Sequence, residues 1–337
     1  MINPVAYTNT EQKLPAYLRP IAEELRRVEE ILSAQLDSRM QTVTSVSCHI
    51  LDAGGKRLRP SLVILGAKAC GGDCDSEKML NAAATTELIH MATLMHDDVV
   101  DDANTRRGRS TANSVWGNKI SILTGDYMLA KSFALLAHIG DHGVLDAMGR
   151  ATIAMAEGEI QQIESIGDTE ALTTHYLTTI KNKTAEFMSA CSQIGAILAR
   201  SSQEVEDALI SYGLNLGIAF QITDDLLDLI GDTAQTGKPV GGDIREGKIT
   251  MPLILALENA GQDEHTEVER IVHGGNVTSE DIEYIRNLAI NTGAIDGTQA
   301  VAARFIQMAI DNLSILPPSD ALESLKELPR HILNRRS

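Results

Sequence analysis

Aromatic side chains are scarce in this chain: one Trp, four Phe and six Tyr among 337 residues. Ala, Leu, Ile and Met are abundant instead, a balance that suits a large helical bundle better than a β-sandwich. Cysteine is rare as well, with four in all. Cys70 and Cys74 share the segment CGGDC, which has the spacing of a zinc half-site or a short disulfide. No second Cys/His pair at ligand spacing completes a zinc site, so a loop with free thiols is the better reading. Few cysteines and no signal peptide make the cytoplasm the expected location. Positive charge is short too: 29 Lys+Arg against 46 Asp+Glu gives a formal net charge of −17. No nucleic-acid partner is expected, because phosphate backbones select basic faces. No apolar run reaches the roughly 18 residues of a membrane span, so no transmembrane helix is expected, although peripheral membrane contact stays open. There is no fixed-period repeat, low-complexity tract or linker, and the length is ample for one large core.

What the chain does have is carboxylate, concentrated twice. His90–Gly108 reads HMATLMHDDVVDDANTRRG, with Asp97, Asp98 and Asp101 at i, i+1 and i+4. A helix stacks i over i+4, so Asp97 and Asp101 form one rank with Asp98 beside it. Gln221–Asp228 reads QITDDLLD and repeats the spacing at Asp224, Asp225 and Asp228. Each cluster ends an apolar run at helical spacing. Carboxylates so placed repel one another unless a hard cation joins them. Magnesium suits, since it takes one or two carboxylates, keeps waters and shares substrate phosphates. A lone DDxxD is more often a solvated helix end; two of them suggest metals held between facing helices.

A negative site that holds a diphosphate also needs cations. Gly54–Pro60, GGKRLRP, places Lys56, Arg57 and Arg59 after paired glycines that let backbone approach a ligand. Arg106 and Arg107 follow the first acidic cluster, and Lys183-Thr184 falls in a long helix expected over 174–200. The stretch 231–252 is rich in Gly and charge, with Lys238, Asp243, Arg245 and Lys248, and reads as an ordered loop beside the second cluster. His90 lies two turns before Asp97 on the same face, as a ligand donor or as a satisfied core histidine. Gly213 and Gly217 share a face with Gln221 and Asp224. Glycine costs a helix about 1 kcal/mol, so a close helix or ligand approach would account for them.

Taken in order, GGKRLRP, HDDVVDDANTRRG, Lys183-Thr184, FQITDDLLD and GKPVGGD–REGK resemble the trans-isoprenyl diphosphate synthases, from about residue 50 to about residue 255. The resemblance implies an all-α fold, one large single-domain bundle around a central active-site cavity, with residues 1–19 as an arm. It implies a magnesium-dependent prenyltransferase that joins isopentenyl diphosphate head to tail to an allylic diphosphate, working as a homodimer. Asp97, Asp101 and Asp224 would hold two or three magnesium ions bridging to the allylic diphosphate, with Asp98, Asp225 and Asp228 completing the metal set. Arg106, Lys183, Thr184, Gln221, Lys238 and Lys248 would grip that diphosphate. Lys56, Arg59, His90 and Arg107, with the Gly55 backbone, would hold isopentenyl diphosphate. The chain departs from the family at Gly241-Gly242-Asp243, where GDD is usual, and at Asp102, where Glu is usual.

The chemistry fits these residues. Carbon–oxygen cleavage leaves diphosphate and an allylic cation, which the isopentenyl double bond attacks; proton loss, with diphosphate as the expected base, ends the cycle. Thr184 and Gln221 are expected to face the cation through their oxygens. The tail should run from Asp97 towards the start of its helix. Ala92 and Thr93 are small there, where short-chain members of the family carry bulky aromatics. Thr86 stands ~16 Å up the axis, and Ile89, Met91 and residues 128–133, Phe133 among them, are candidates to narrow the way. The expected product is long, hexa- to decaprenyl and nearest octaprenyl, for quinone side chains; a farnesyl or geranylgeranyl synthase is the alternative. A terpene cyclase or head-to-head synthase would have no use for GGKRLRP. A non-catalytic partner subunit would have lost acidic residues, and both clusters are intact.

Overall fold

Helices carry nearly all of the chain in the computed structural model, which describes residues 14–72, 76–106, 108–170, 172–231 and 240–333. The exception is a ribbon in which β1 (Thr105–Arg106) pairs antiparallel with β2 (Arg109–Ser110). A 3-10 turn over Ala16–Ile21 leads into α1 (Ala22–Gln35), α2 (Gln41–Asp52), α3 (Leu58–Ala69) and α4 (Glu77–Val100). After the ribbon come α5 (Ala112–Trp116), α6 (Asn118–Ile139), α7 (His142–Glu164), α8 (Thr173–Ile180), α9 (Glu186–Leu198) and α10 (Gln203–Ile230). The remainder is α11 (Gly242–Arg245), α12 (Met251–Glu258), α13 (Gln262–His273), α14 (Ser279–Asn291), α15 (Ala294–Asn312) and α16 (Asp320–Leu333). The one helix expected over 174–200 is two, α8 and α9, joined through a π-helical turn at Lys181–Ala185.

Two compact units share these helices. The first comprises the described residues up to Leu145, with Cys191–Asp207 and Ile315–Leu328. The second comprises Asp146–Ala190, Ala208–Ser314 and the described residues from Pro329 onward.

In the first unit α4 is the central element, packed by α1, α3 and α6. Ser76 caps it by accepting from the Met79 amide. Its small residues Ala82, Ala83, Ala84, Thr85 and Thr86 are all buried, so neighbouring helices can approach closely on every side. By length and composition α6 is apolar enough to cross a membrane, which the sequence reading did not anticipate. It lies along α4, with Ser121, Thr124, Gly125, Met128 and Ser132 buried. Gly125 makes that approach possible, since a Cβ there would stand 2.4 Å from His96 Nε2. Leu123 and Phe133 are 63% and 55% exposed. Phe133, expected to help narrow the way along α4, is exposed on α6 in the single chain.

Arg57, the middle cation of GGKRLRP, is turned inward. It adopts a left-handed conformation (φ 47°) at the start of α3. Its guanidinium pairs with Glu87 of α4 at 2.8 Å and with Glu29 of α1. Burial works against its charge, but Glu87 and Glu29 outweigh that and hold its pKa above the ordinary value. The neighbours differ: Lys56 is exposed and Arg59 half-buried. One arginine therefore fastens the loop to two helices, while Lys56 stays exposed and Arg59 is half-buried with its Nε enclosed.

The second unit has two apolar clusters. Leu229, Ile244, Leu253, Leu257, Ile271 and Ile285 seat the end of α10 on α11–α14. Tyr176, Ile180, Ala185, Ile218, Ile222 and Ile254 seat α8 and the π turn on α10 and α12. Each fully buried Leu or Ile among them contributes about 1.5–3 kcal/mol, so the acidic end of α10 rests on a rigid base.

Removing one partner of a buried ion pair strands the others, at a cost of about 3–5 kcal/mol. Arg57→Met should therefore lower the unfolding free energy by that order in denaturant titration. A loss below about 1 kcal/mol, the worth of an exposed ion pair, would contradict the anchoring role.

Candidate active site

The first acidic cluster closes α4, and Asp101 is its C-cap residue. Asp98 is 0% exposed, and its Oδ1 accepts from Arg106 Nε at 2.8 Å. Asp97 is half-buried and Asp101 exposed. The three carboxylates thus divide: Asp97 and Asp101 form the open rank, while Asp98 faces inward and ties down the ribbon that carries Arg106. Asp98, expected among the metal ligands, is bonded here to Arg106. Arg106 has its Nε committed to Asp98 and keeps 27% of its side chain exposed. His96 points to α6, towards Ile122 O at 3.2 Å and Asp126 at 3.4 Å, and away from the carboxylates it adjoins in sequence. His90 and Thr93 are half-buried on the face of Asp97, whereas Ala92 and Ile89 are buried.

The second cluster repeats the division. Asp224 is exposed and Asp228 half-buried. Asp225, 6% exposed, accepts from Tyr176 Oη at 2.6 Å and from Gln221 Nε2 at 2.8 Å. Burial, offset partly by these two bonds and reinforced by Asp224 and Asp228, raises the Asp225 carboxyl to about 7. Asp225, also expected among the metal ligands, is bonded on both oxygens within the protein. Asp228 Oδ2 accepts the Asp243 amide at 3.0 Å. A Cβ on Gly242 would lie 3.1 Å from Asp228 Oδ1, so the glycine standing where the family has an acid relieves crowding at Asp228. Burial, with the charges of Asp225 and Asp228, pushes the Asp243 carboxyl well up, against the pull of Lys248.

Lys183 and Thr184 sit on the π turn, a distortion common at functional sites. Lys183 Nζ meets Glu159 at 2.5 Å and Gln162 Oε1 at 2.6 Å. Thr184 Oγ1 donates to Gln221 Oε1 at 2.9 Å. Two glycines bracket the turn. A Cβ on Gly158 of α7 would stand 2.4 Å from Lys183 N, and one on Gly217 of α10 would stand 2.5 Å from Ala185 Cα. The close helix approach expected at Gly217 is thus present. Gly158 and Tyr176 escaped the sequence reading, and their only signal was a glycine and an aromatic inside helical patterns. A cleft of about 280 Å³ is lined by Gln162, Ser165, His175, Tyr176, Lys248 and Thr250. Lys248 Nζ pairs with Glu246 at 2.5 Å. Gly55 and Lys56 are exposed and Arg59 half-buried; Arg107 and Lys238 lie outside the described residues.

Neither α4 nor α10 has a basic residue in its last turn. Carboxylates there meet the negative end of the helix dipole, which disfavours each by about 0.3–1 kcal/mol. Among the described residues no three His, Cys, Asp or Glu side chains converge into a metal cage. Open all-oxygen ranks without a cage fit magnesium, which completes its shell with water and phosphate oxygens.

A family model described as polyprenyl synthetase matches residues 40–289. The chain belongs to the polyprenyl synthetase family. It is 35% identical to an all-trans-nonaprenyl-diphosphate synthase (geranyl-diphosphate specific) of Rhodobacter capsulatus, over 94% of this chain and 97% of that protein. It is 34% identical to heptaprenyl diphosphate synthase component 2 of Geobacillus stearothermophilus, over 96% and 99%. The crystal structure of a Caulobacter crescentus polyprenyl synthase complexed with calcium and isoprenyl diphosphate superposes with a TM-score of 0.91 at 37% identity, covering 95% of this chain and 97% of that one. The chain is accordingly an all-α polyprenyl diphosphate synthase, a transferase of a metal-dependent family.

Gly158 tests the seating of Lys183. Gly158→Ala forces a methyl against backbone, and overpacking costs about 1–3 kcal/mol. The expected outcome is a lower melting temperature together with a raised KM for the allylic substrate. An unchanged KM in a folded variant would detach Lys183 from that substrate.

Proposed function

We propose that this synthase elongates an allylic diphosphate with isopentenyl diphosphate to a long-chain product, in the heptaprenyl to decaprenyl range and nearest octaprenyl. The observation that carries the reading is Thr93. It stands one turn before Asp97 on the same face of α4, it is small, and its hydroxyl is spent on His90 O at 2.8 Å. A prenyl tail leaving the Asp97 end of α4 would meet a methyl there, not a bulky ring. Similarity to nonaprenyl and heptaprenyl synthases supports the same length class.

Asp97, Asp101, Asp224 and Asp228 would hold magnesium, which when bound supplies the charge that stabilises the departing diphosphate. The basic side chains do the rest of the binding. Lys183, Lys248 and Arg106, with Lys238, hold the allylic diphosphate. Lys56, Arg59 and His90, with Arg107 and the Gly55 backbone, hold isopentenyl diphosphate. Fixing both anions in one orientation supplies much of the rate gain. Apolar helix walls keep water from the allylic cation, Thr184 and Gln221 present oxygens to it, and the released diphosphate takes the proton.

A second copy of the chain completes the reading. Symmetric dimers are the commonest oligomers, and α6 leaves the large apolar side chains of Leu123 and Phe133 exposed. Light scattering should give a dimer, and Leu123→Glu with Phe133→Glu a monomer; a monomeric wild-type protein would contradict this.

Product sizing tests the function. The purified protein, magnesium, labelled isopentenyl diphosphate and farnesyl diphosphate should yield a ladder ending in one long prenyl alcohol. Thr93→Phe should shorten it to the short-chain range. A wild-type stop at geranylgeranyl would refute the long-chain reading, and no elongation with any allylic primer would refute catalysis by this chain alone.

A further inference from the structure

We propose that Tyr176 is a positioning residue for the prenyl transfer: through Asp225 and Gln221 it fixes the Thr184 hydroxyl so that its oxygen lone pairs, and not its proton, face the allylic group. The proposal rests on the placement of Thr184 and Gln221 at the allylic substrate argued above.

The hydrogen bonds converge on Asp225 from two sides. Tyr176 Oη reaches Asp225 Oδ2 at 2.6 Å, Gln221 Nε2 reaches Asp225 Oδ1 at 2.8 Å, and Thr184 Oγ1 reaches Gln221 Oε1 at 2.9 Å. Gln221 presents its NH₂ to Asp225 Oδ1, the orientation that an ionised carboxylate accepts. Its carbonyl then faces Thr184, and the threonine proton is consumed there. Burial and the charge of Asp225 push the Tyr176 phenol well above its ordinary value, so it keeps its proton and remains a donor. Both oxygens of Asp225 are occupied, one by Tyr176 and one by Gln221, which prevents the carboxylate from rotating and releasing the amide.

The chain is also enclosed. Tyr176, Thr184 and Asp225 are 7%, 7% and 6% exposed. Tyr176 comes from α8, Thr184 from the π turn, and Gln221 and Asp225 from α10, one helical turn apart. Water has little access to substitute for a missing partner, so removing the phenol oxygen leaves a buried carboxylate oxygen unsatisfied. That freedom passes to Gln221 and then to Thr184. An oxygen whose lone pairs are preset towards developing positive charge needs no reorganisation during reaction, whereas one free to rotate does.

The test is a double-mutant cycle of Tyr176→Phe and Gln221→Leu, read in two ways. Removing a donor that touches the reacting charge typically costs a hundredfold or more in kcat. Tyr176 acts only through Asp225 and Gln221, so Tyr176→Phe should lower kcat about tenfold and leave KM for isopentenyl diphosphate unchanged. In the Gln221→Leu background Tyr176→Phe should then lower kcat by less than about twofold, because residues acting through one network are not additive. Denaturant unfolding without magnesium or substrate should show the same non-additivity. Wild-type kcat in Tyr176→Phe, or kcat losses that multiply in full, would overturn the proposal even if the stabilities are coupled, since Tyr176 would then be only structural. A wild-type protein that elongates no primer would refute the functional reading and this role with it; the substrate-free unfolding cycle would still report whether the relay exists.

Discussion

Carboxylates at the C-terminal ends of two long helices set the terms for the rest of this structure. Asp97 and Asp101 close α4, and Asp224 and Asp228 close α10, without a basic residue in either last turn. Like charges one turn apart repel, the helix dipole adds to that repulsion, and the whole chain already carries −17. Local rules of helix design are broken twice in the same way, and such breaks concentrate at functional sites. A divalent cation would resolve the conflict and make the acidic ends attractive to a diphosphate.

The surrounding groups follow from that constraint. In each cluster the second carboxylate is buried and given donors: Arg106 for Asp98, Tyr176 and Gln221 for Asp225. The outer two remain towards solvent. The same division of labour appears among the cations, where Arg57 is spent on Glu29 and Glu87 while Lys56 stays exposed. Lys183 is held between Glu159 and Gln162 on a turn pressed between two glycines. Its position is therefore fixed by its own neighbours.

Much of this was legible in the sequence. Helical periodicity located most helices to within a few residues, and the paired DDxxD spacing located both acidic ends. What sequence could not supply was direction. Asp97 and Asp98 are adjacent and chemically identical; only packing decides which is buried. The same holds for Arg57 beside Lys56, and for Phe133, which the helix pattern left free to point either way. The π turn has no periodicity of its own, because one inserted residue does not stand out where helix continues on both sides. Tyr176 lies far from Asp225 in sequence, and no local rule joins them. Residue type and spacing fix the chemistry available; burial and tertiary hydrogen bonds decide which copy of each residue performs it.

The most direct test is calorimetric titration of inorganic diphosphate into the dimer or monomer as purified, with and without magnesium. Diphosphate should bind tightly only when magnesium is present, and Asp97→Asn and Asp224→Asn should each abolish most of that gain. Equal binding in chelator would mean that the basic side chains alone hold the diphosphate, and that the acidic helix ends are not its metal site.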